Sequence, residues 1–160
     1  MRLITQQLLD DLLEQAARSE RLRLPYRFHE HEDPVQRMLN AIQPGSYVTP
    51  HKHENPDKVE LIAVLTGSAA MFQFSDSGAI TEMHIMTVDG AVRGVDIAPR
   101  TYHNFVALTP CVVLEIIQGP YRAETHKKFA EWAPTEGTPE AMTYLQSLEQ
   151  YVRDARTDTK

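Results

Sequence analysis

Two histidines one residue apart, His51 and His53, open the stretch of this chain where chemistry is most concentrated. In an extended strand residues i and i+2 project to the same face, so both imidazoles can be aimed at one point. Glu60 heads the apolar run that follows, ELIAVLT, and can bring a carboxylate to the same place. Two imidazoles and one carboxylate form a facial set that holds a divalent transition metal and leaves coordination positions open. Neutral imidazole and carboxylate suit Fe, Mn, Zn or Ni alike, and spacing does not choose among them.

Other residues carry weaker signals. Glu115 lies in the otherwise apolar run CVVLEIIQ. On an inner face its carboxyl would need a partner or a task, and it is a candidate acid or base; on an outer face it is solvated. Tyr47, four residues before His51, shares that face if Pro50 leaves the strand register intact, and it could then donate a proton. A second His-x-His, His29 and His31, sits in HEHED, crowded by acids and by Pro34. A surface loop is the simpler reading there, with His29 and Arg27 as candidates to line a pocket.

Elements able to position these groups can be read from periodicity. Residues 3–18 place Leu3, Ile4, Leu8, Leu9, Leu12 and Leu13 at helical spacing, and Thr5 can cap a slightly shorter helix. Its polar face is not basic, so it is expected to pack on its own domain or across a dimer. Pro25, Pro34 and Pro44 break the next stretch into short pieces, among which 35–42 mixes strand and helix signals and is compatible with a strand running into the Pro-Gly turn at 44–45. Strands are then predicted at 47–53, 59–66, 68–75, 80–88, 92–97, 103–108 and 111–118, separated by Gly, Pro and Asp turns. Short strands at such intervals signify a β-sandwich or barrel. After Gly119-Pro120, Phe129 and Trp132 can pack back on the barrel, 139–154 reads as a capped helix, and the last six residues are expected to lack fixed structure.

The 160 residues fit one domain with terminal extensions: 1–22 helical, 23–122 the β-barrel, 123–160 an irregular segment and a helix. A net charge of −6 without a basic stripe argues against nucleic acid. No run approaches the length of a membrane span, and the acids within the first apolar pattern are unlike a secretory signal. Cys111 is the single cysteine, which precludes an intramolecular disulfide and favours a cytoplasmic address.

The pattern Gly45, five residues, His51-Lys52-His53, a spacer, Glu60, six residues, Gly67 resembles the first motif of the cupin superfamily, and Ala98-Pro99-Arg100-Thr101-Tyr102-His103 resembles the second more loosely. The chain is more closely similar to the WbuC family of cupin-fold metalloproteins, through PVQRMLNAIQPGSYVTPHKHENPDK, APRTYHNFVAL and EIIQGPY…FAEWAPTEG. The resemblance implies a double-stranded β-helix (jelly-roll) barrel, mainly β, with an N-terminal and a C-terminal helix. It implies one divalent transition metal held by His51, His53, Glu60 and His103. Common cupins space the glutamate closer to the second histidine, where Asp57 lies; the six-residue count to Gly67 favours Glu60. Arg100 replaces a usual glycine and puts a cation near the mouth, as an anion contact or a solvated turn residue. The family is associated with bacterial surface-polysaccharide clusters. The implied function is action on a small polar ligand, a sugar or sugar derivative, by a homodimer. Isomerase- or epimerase-like Lewis-acid chemistry, an Fe(II) dioxygenase and a non-catalytic saccharide-binding module are the alternatives.

Overall fold

Burial alternates along Glu60–Thr66 and the second half of Cys111–Gln118, whereas Tyr102–Ala107 is buried on both faces. The structure is a computed structural model and describes residues 1–157. Helix α1 (Gln6–Ala17) is capped by Thr5, whose hydroxyl accepts from the Leu8 amide at 3.2 Å. Ten strands follow: β1 (Arg23–Arg27), β2 (Val35–Ile42), β3 (His51–Lys52), β4 (Glu60–Thr66), β5 (Ser68–Phe74), β6 (Ile80–Thr87), β7 (Gly94–Ile97), β8 (Tyr102–Ala107), β9 (Cys111–Gln118) and β10 (Lys128–Phe129). A short helix, α2 (Ala123–His126), precedes β10, and α3 (Pro139–Thr157) ends the described chain.

All pairings are antiparallel and form two five-stranded sheets, β1-β2-β9-β4-β7 and β10-β3-β8-β5-β6. The inner faces enclose a core that includes Ile42, Ile62, Val64, Met71, Phe105 and Val113. Each terminal helix covers the outside of one sheet. Leu9, Leu12 and Ala16 of α1 pack on Leu39, Ala41 and Val112 of the first. Ala141, Leu145, Leu148 and Val152 of α3 pack on Ala70, Phe72 and Val106 of the second. The result is the expected mainly β jelly-roll-like sandwich, with a helix at each end. Gly67 makes the β4–β5 connection at φ +75°, where a Cβ would lie 2.1 Å from the Pro110 carbonyl oxygen.

Several expectations change. The stretch 47–53 pairs as a strand only at His51–Lys52; Pro50 has no N–H to give to a ladder. Arg23–Arg27, read as broken by Pro25, is a strand at the edge of its sheet, where a missing N–H is tolerated. Helix α3 continues through Thr157, into the stretch expected to lack structure, and residues 158–160 lie outside the described residues. Trp132 packs on Phe74 and Tyr102, with ring centroids 5.2 and 5.8 Å away. Phe129 instead stays exposed, 6.2 Å from the His51 ring.

Candidate metal centre

His51 on β3 and His103 on β8 are register partners, so their side chains leave the second sheet side by side toward the interior. His53 follows immediately after β3, and its carbonyl oxygen accepts from the Arg100 amide at 3.0 Å. Glu60 is the first residue of β4 and reaches in from the opposite sheet. One ligand atom from each of the four residues lies within 4.8 Å of all the others. None of the four is more than 6% exposed.

The backbone decides which ring nitrogen is available. His51 Nδ1 lies 3.0 Å from the Thr49 carbonyl oxygen and His103 Nδ1 2.9 Å from that of Thr101. His53 Nδ1 makes the same kind of contact with the His126 carbonyl oxygen. A carbonyl only accepts, so each Nδ1 carries the proton, and in a neutral ring Nε2 then keeps its lone pair. His53 Nε2 and His103 Nε2 approach Glu60 Oε2 at 2.9 and 3.2 Å. Buried nitrogen lone pairs converging on a carboxylate call for a cation, and this donor set suits a divalent transition metal. Burial, reinforced by the charge of Lys127, pulls the His51 pKa well below its ordinary value and keeps that ring in the neutral, ligating form. Burial works upward on Glu60, but the His103 and His53 side chains beside it outweigh burial and hold its pKa well below the ordinary carboxylate value.

The centre opens on a cavity of about 310 Å³. His51, Glu60 and His103 line one part of it, and Glu115, Arg27 and Lys127 are also in its wall. Glu115 faces inward, which settles the alternative left open by sequence. It is the register partner of Ile62 on β4 and Met38 on β2, and its Oε1 accepts from Asn40 Nδ2 at 2.9 Å. Burial, with the nearby charge of Glu60, raises its pKa.

The remaining candidates divide. Arg27 and His29 line the cavity, and His29 Nδ1 is held against the Arg37 backbone, 2.8 Å from its amide nitrogen. Arg100 does not line it: its Nε donates to both Asp57 oxygens at 2.9 and 3.1 Å in an exposed ion pair. That pair also takes Asp57 away from the histidines and leaves Glu60 as the carboxylate. Tyr47 is not in the cavity wall either. With no regular strand from 47 to 50, the count from Tyr47 to His51 fails; the Tyr47 hydroxyl donates to the Pro134 carbonyl at 2.9 Å and its ring packs on Tyr144 under α3.

Sequence reasoning missed Arg23, His126 and Lys127, all in the cavity wall. Arg23 had a usable signal, since RLPYR on a strand puts Arg23 and Arg27 on one face. Burial, with the neighbouring His53, pushes the His126 pKa down to about 3.

Among solved structures, the chain is similar to the capsular polysaccharide assembling protein CapF from Staphylococcus aureus, at 21% identity and TM-score 0.55, over 68% of this chain and 34% of that one. It spans only about a third of that protein's length. It is also similar to an oxalate oxidase in complex with the substrate analogue glycolate, at 13% identity and TM-score 0.51, over 71% of this chain and 57% of that one. A cupin superfamily protein from Desulfitobacterium hafniense matches at 14% identity and TM-score 0.48, over 60% and 76%. At these identities the likeness is one of fold. No curated protein matches the chain. A family profile does match, over residues 4–86, which is just over half of the sequence and includes His51, His53 and Glu60. The chain therefore belongs to the family described as Domain of unknown function (DUF6016).

Proposed function

We propose that this protein is a mononuclear metal-dependent cupin acting on a small polar molecule, a sugar or sugar derivative, with His51, His53, Glu60 and His103 as the metal ligands. The observation that carries the reading is Glu115. It is a buried carboxyl, raised in pKa, in the wall of the same cavity as Glu60. A carboxyl so placed and so poised suits proton transfer beside the centre. A bound divalent ion would supply Lewis-acid polarisation of a carbonyl or hydroxyl oxygen. Glu115 would hold or remove a proton, with Asn40 fixing its Oε1. The cavity's size suits a ligand of one sugar ring, and the capsular polysaccharide assembling protein among the structural relatives fits a saccharide.

Elemental analysis of the purified protein and of His51→Ala tests the centre. A metal near one equivalent in the wild type and its loss in the variant are expected. Equal metal content in the two would remove the assignment. Iron accompanied by oxygen uptake would direct the reading to a dioxygenase, and zinc or manganese without it to Lewis-acid chemistry. Saccharide binding that Glu115→Gln leaves chemically unproductive supports the acid-base role. Binding without any turnover in the wild type would make the protein a binding module.

A further inference from the structure

The cavity beside the candidate metal centre gathers cations, although the chain carries a net charge of −6. Arg21, Arg23, Arg27 and Lys127 all line it. On β1, Arg23 and Arg27 are register partners of Ile42 and Met38, so the edge strand turns one face toward the cavity, with Arg23 half-buried and Arg27 exposed at its wall.

The carboxylates in the wall are already engaged. Glu136 accepts from Arg21 Nε at 2.7 Å and from Arg23 Nη2 at 2.6 Å. Glu60 faces the histidines, and Glu115 is bound to Asn40. Among the described residues no carboxylate oxygen lies within 4.0 Å of the Arg27 guanidinium or the Lys127 ammonium.

Lys127 is fixed in place. On one side the His126 carbonyl accepts from His53 Nδ1, and on the other Lys128 pairs with Lys52 in the β3–β10 ladder. Its half-buried ammonium acts on His51 and Glu115 electrostatically, and burial lowers its own pKa. Glu115 and Glu60 act on that ammonium without touching it, and a bound anion in direct contact would further offset the cost of withdrawing it from water. Arg27 adds a planar fork matched to carboxylate or phosphate oxygens.

We propose that the ligand of this cavity is an anion, a sugar acid or a sugar phosphate, whose charged group is gripped by Lys127 and Arg27 while its uncharged end faces His51, Glu60 and His103. This rests on the reading of the cavity as the ligand site. It does not depend on which metal is bound.

Calorimetric titration of glucuronate, glucose 6-phosphate, glucose and inorganic phosphate into metal-loaded and metal-stripped protein tests it. The anionic sugars are expected to bind about ten-fold or more tightly than glucose in both forms, a difference of about 1.4 kcal/mol. The stronger of glucuronate and glucose 6-phosphate identifies the charged group, and inorganic phosphate probes the grip free of sugar stereochemistry. Lys127→Met and Arg27→Gln are each expected to abolish most of that preference with metal content unchanged, and Lys127→Arg to retain it. Glucose binding as tightly as the acids, variants with wild-type affinity for the acids, or no binding by any of the four probes overturns the proposal. A protein that takes up no metal yet prefers anions overturns the metal reading and leaves this one standing.

Discussion

His53 is held by His126: the ring Nδ1 of the first donates to the backbone carbonyl of the second, across 73 residues of chain. A candidate metal ligand is thereby oriented by the segment that carries Lys127. The ring nitrogen facing Glu60 and the ammonium in the cavity wall are therefore positioned by one strap of backbone.

Replacing His51 or His103 by alanine is expected to weaken metal binding by about 100-fold or more, since even an orienting partner is worth roughly 10–100-fold. Asp57→Ala should keep the wild-type metal content, because Asp57 is committed to Arg100. Elemental analysis after dialysis distinguishes the variants. Metal loss in Asp57→Ala with retention in Glu60→Ala would reverse the carboxylate assignment.

Glu115 carries a folded-state pKa raised above its ordinary value, first by burial and then by Glu60. The native state therefore binds that proton more tightly than the unfolded chain does. Its contribution to stability is present at low pH and is lost as pH rises through the carboxylate range. Glu115→Gln in metal-stripped protein should raise the melting temperature at pH 7. The difference should vanish below about pH 4, where the unfolded carboxyl is protonated too. A lower melting temperature at pH 7 would mean that the carboxylate is stabilised as an anion.

Glu136 behaves in the opposite sense. Burial works upward, but hydrogen bonds from Arg21 and Arg23 outweigh it and hold the pKa at about 2, against an ordinary 4.5. A depressed carboxyl gives stability that is full above pH 4.5 and lost as pH falls toward about 2. Solvent screening limits the effect, so Glu136→Gln should cost about 1 kcal/mol at pH 7. Thermal melts across this range check it: the variant should lose less stability on acidification than the wild type.

Gly67→Ala should be severely destabilising, by about 3 kcal/mol or more, because it combines left-handed backbone with a Cβ driven into the Pro110 carbonyl. Denaturant midpoints give the measurement. A loss below about 1 kcal/mol would show that the β4–β5 turn can shift away from the β8–β9 connection.

The sequence made the centre legible because its ligands lie on strands or beside them, where a two-residue period is a geometric rule. His51, Glu60 and His103 are buried together as that rule requires. The cavity's far wall was less legible. Pro25 masked β1, since a proline weighs against a strand until it is known to lie at an edge. Lys127 follows a four-residue helix and precedes a two-residue strand, elements too short to carry a period. Tyr47 was misplaced because residues 47–50 leave the ladder, and counting by twos has no meaning there.

Three of the four candidate ligands come from one sheet or its edge and the fourth, Glu60, from the other. An ion at that point would rivet the two layers of the sandwich to each other. Its affinity would then report whether the layers have met. A chain with only the second sheet formed would present three imidazoles and no carboxylate, and would hold the ion loosely. The complete barrel would hold it tightly, and the difference in binding free energy would be returned as resistance to unfolding.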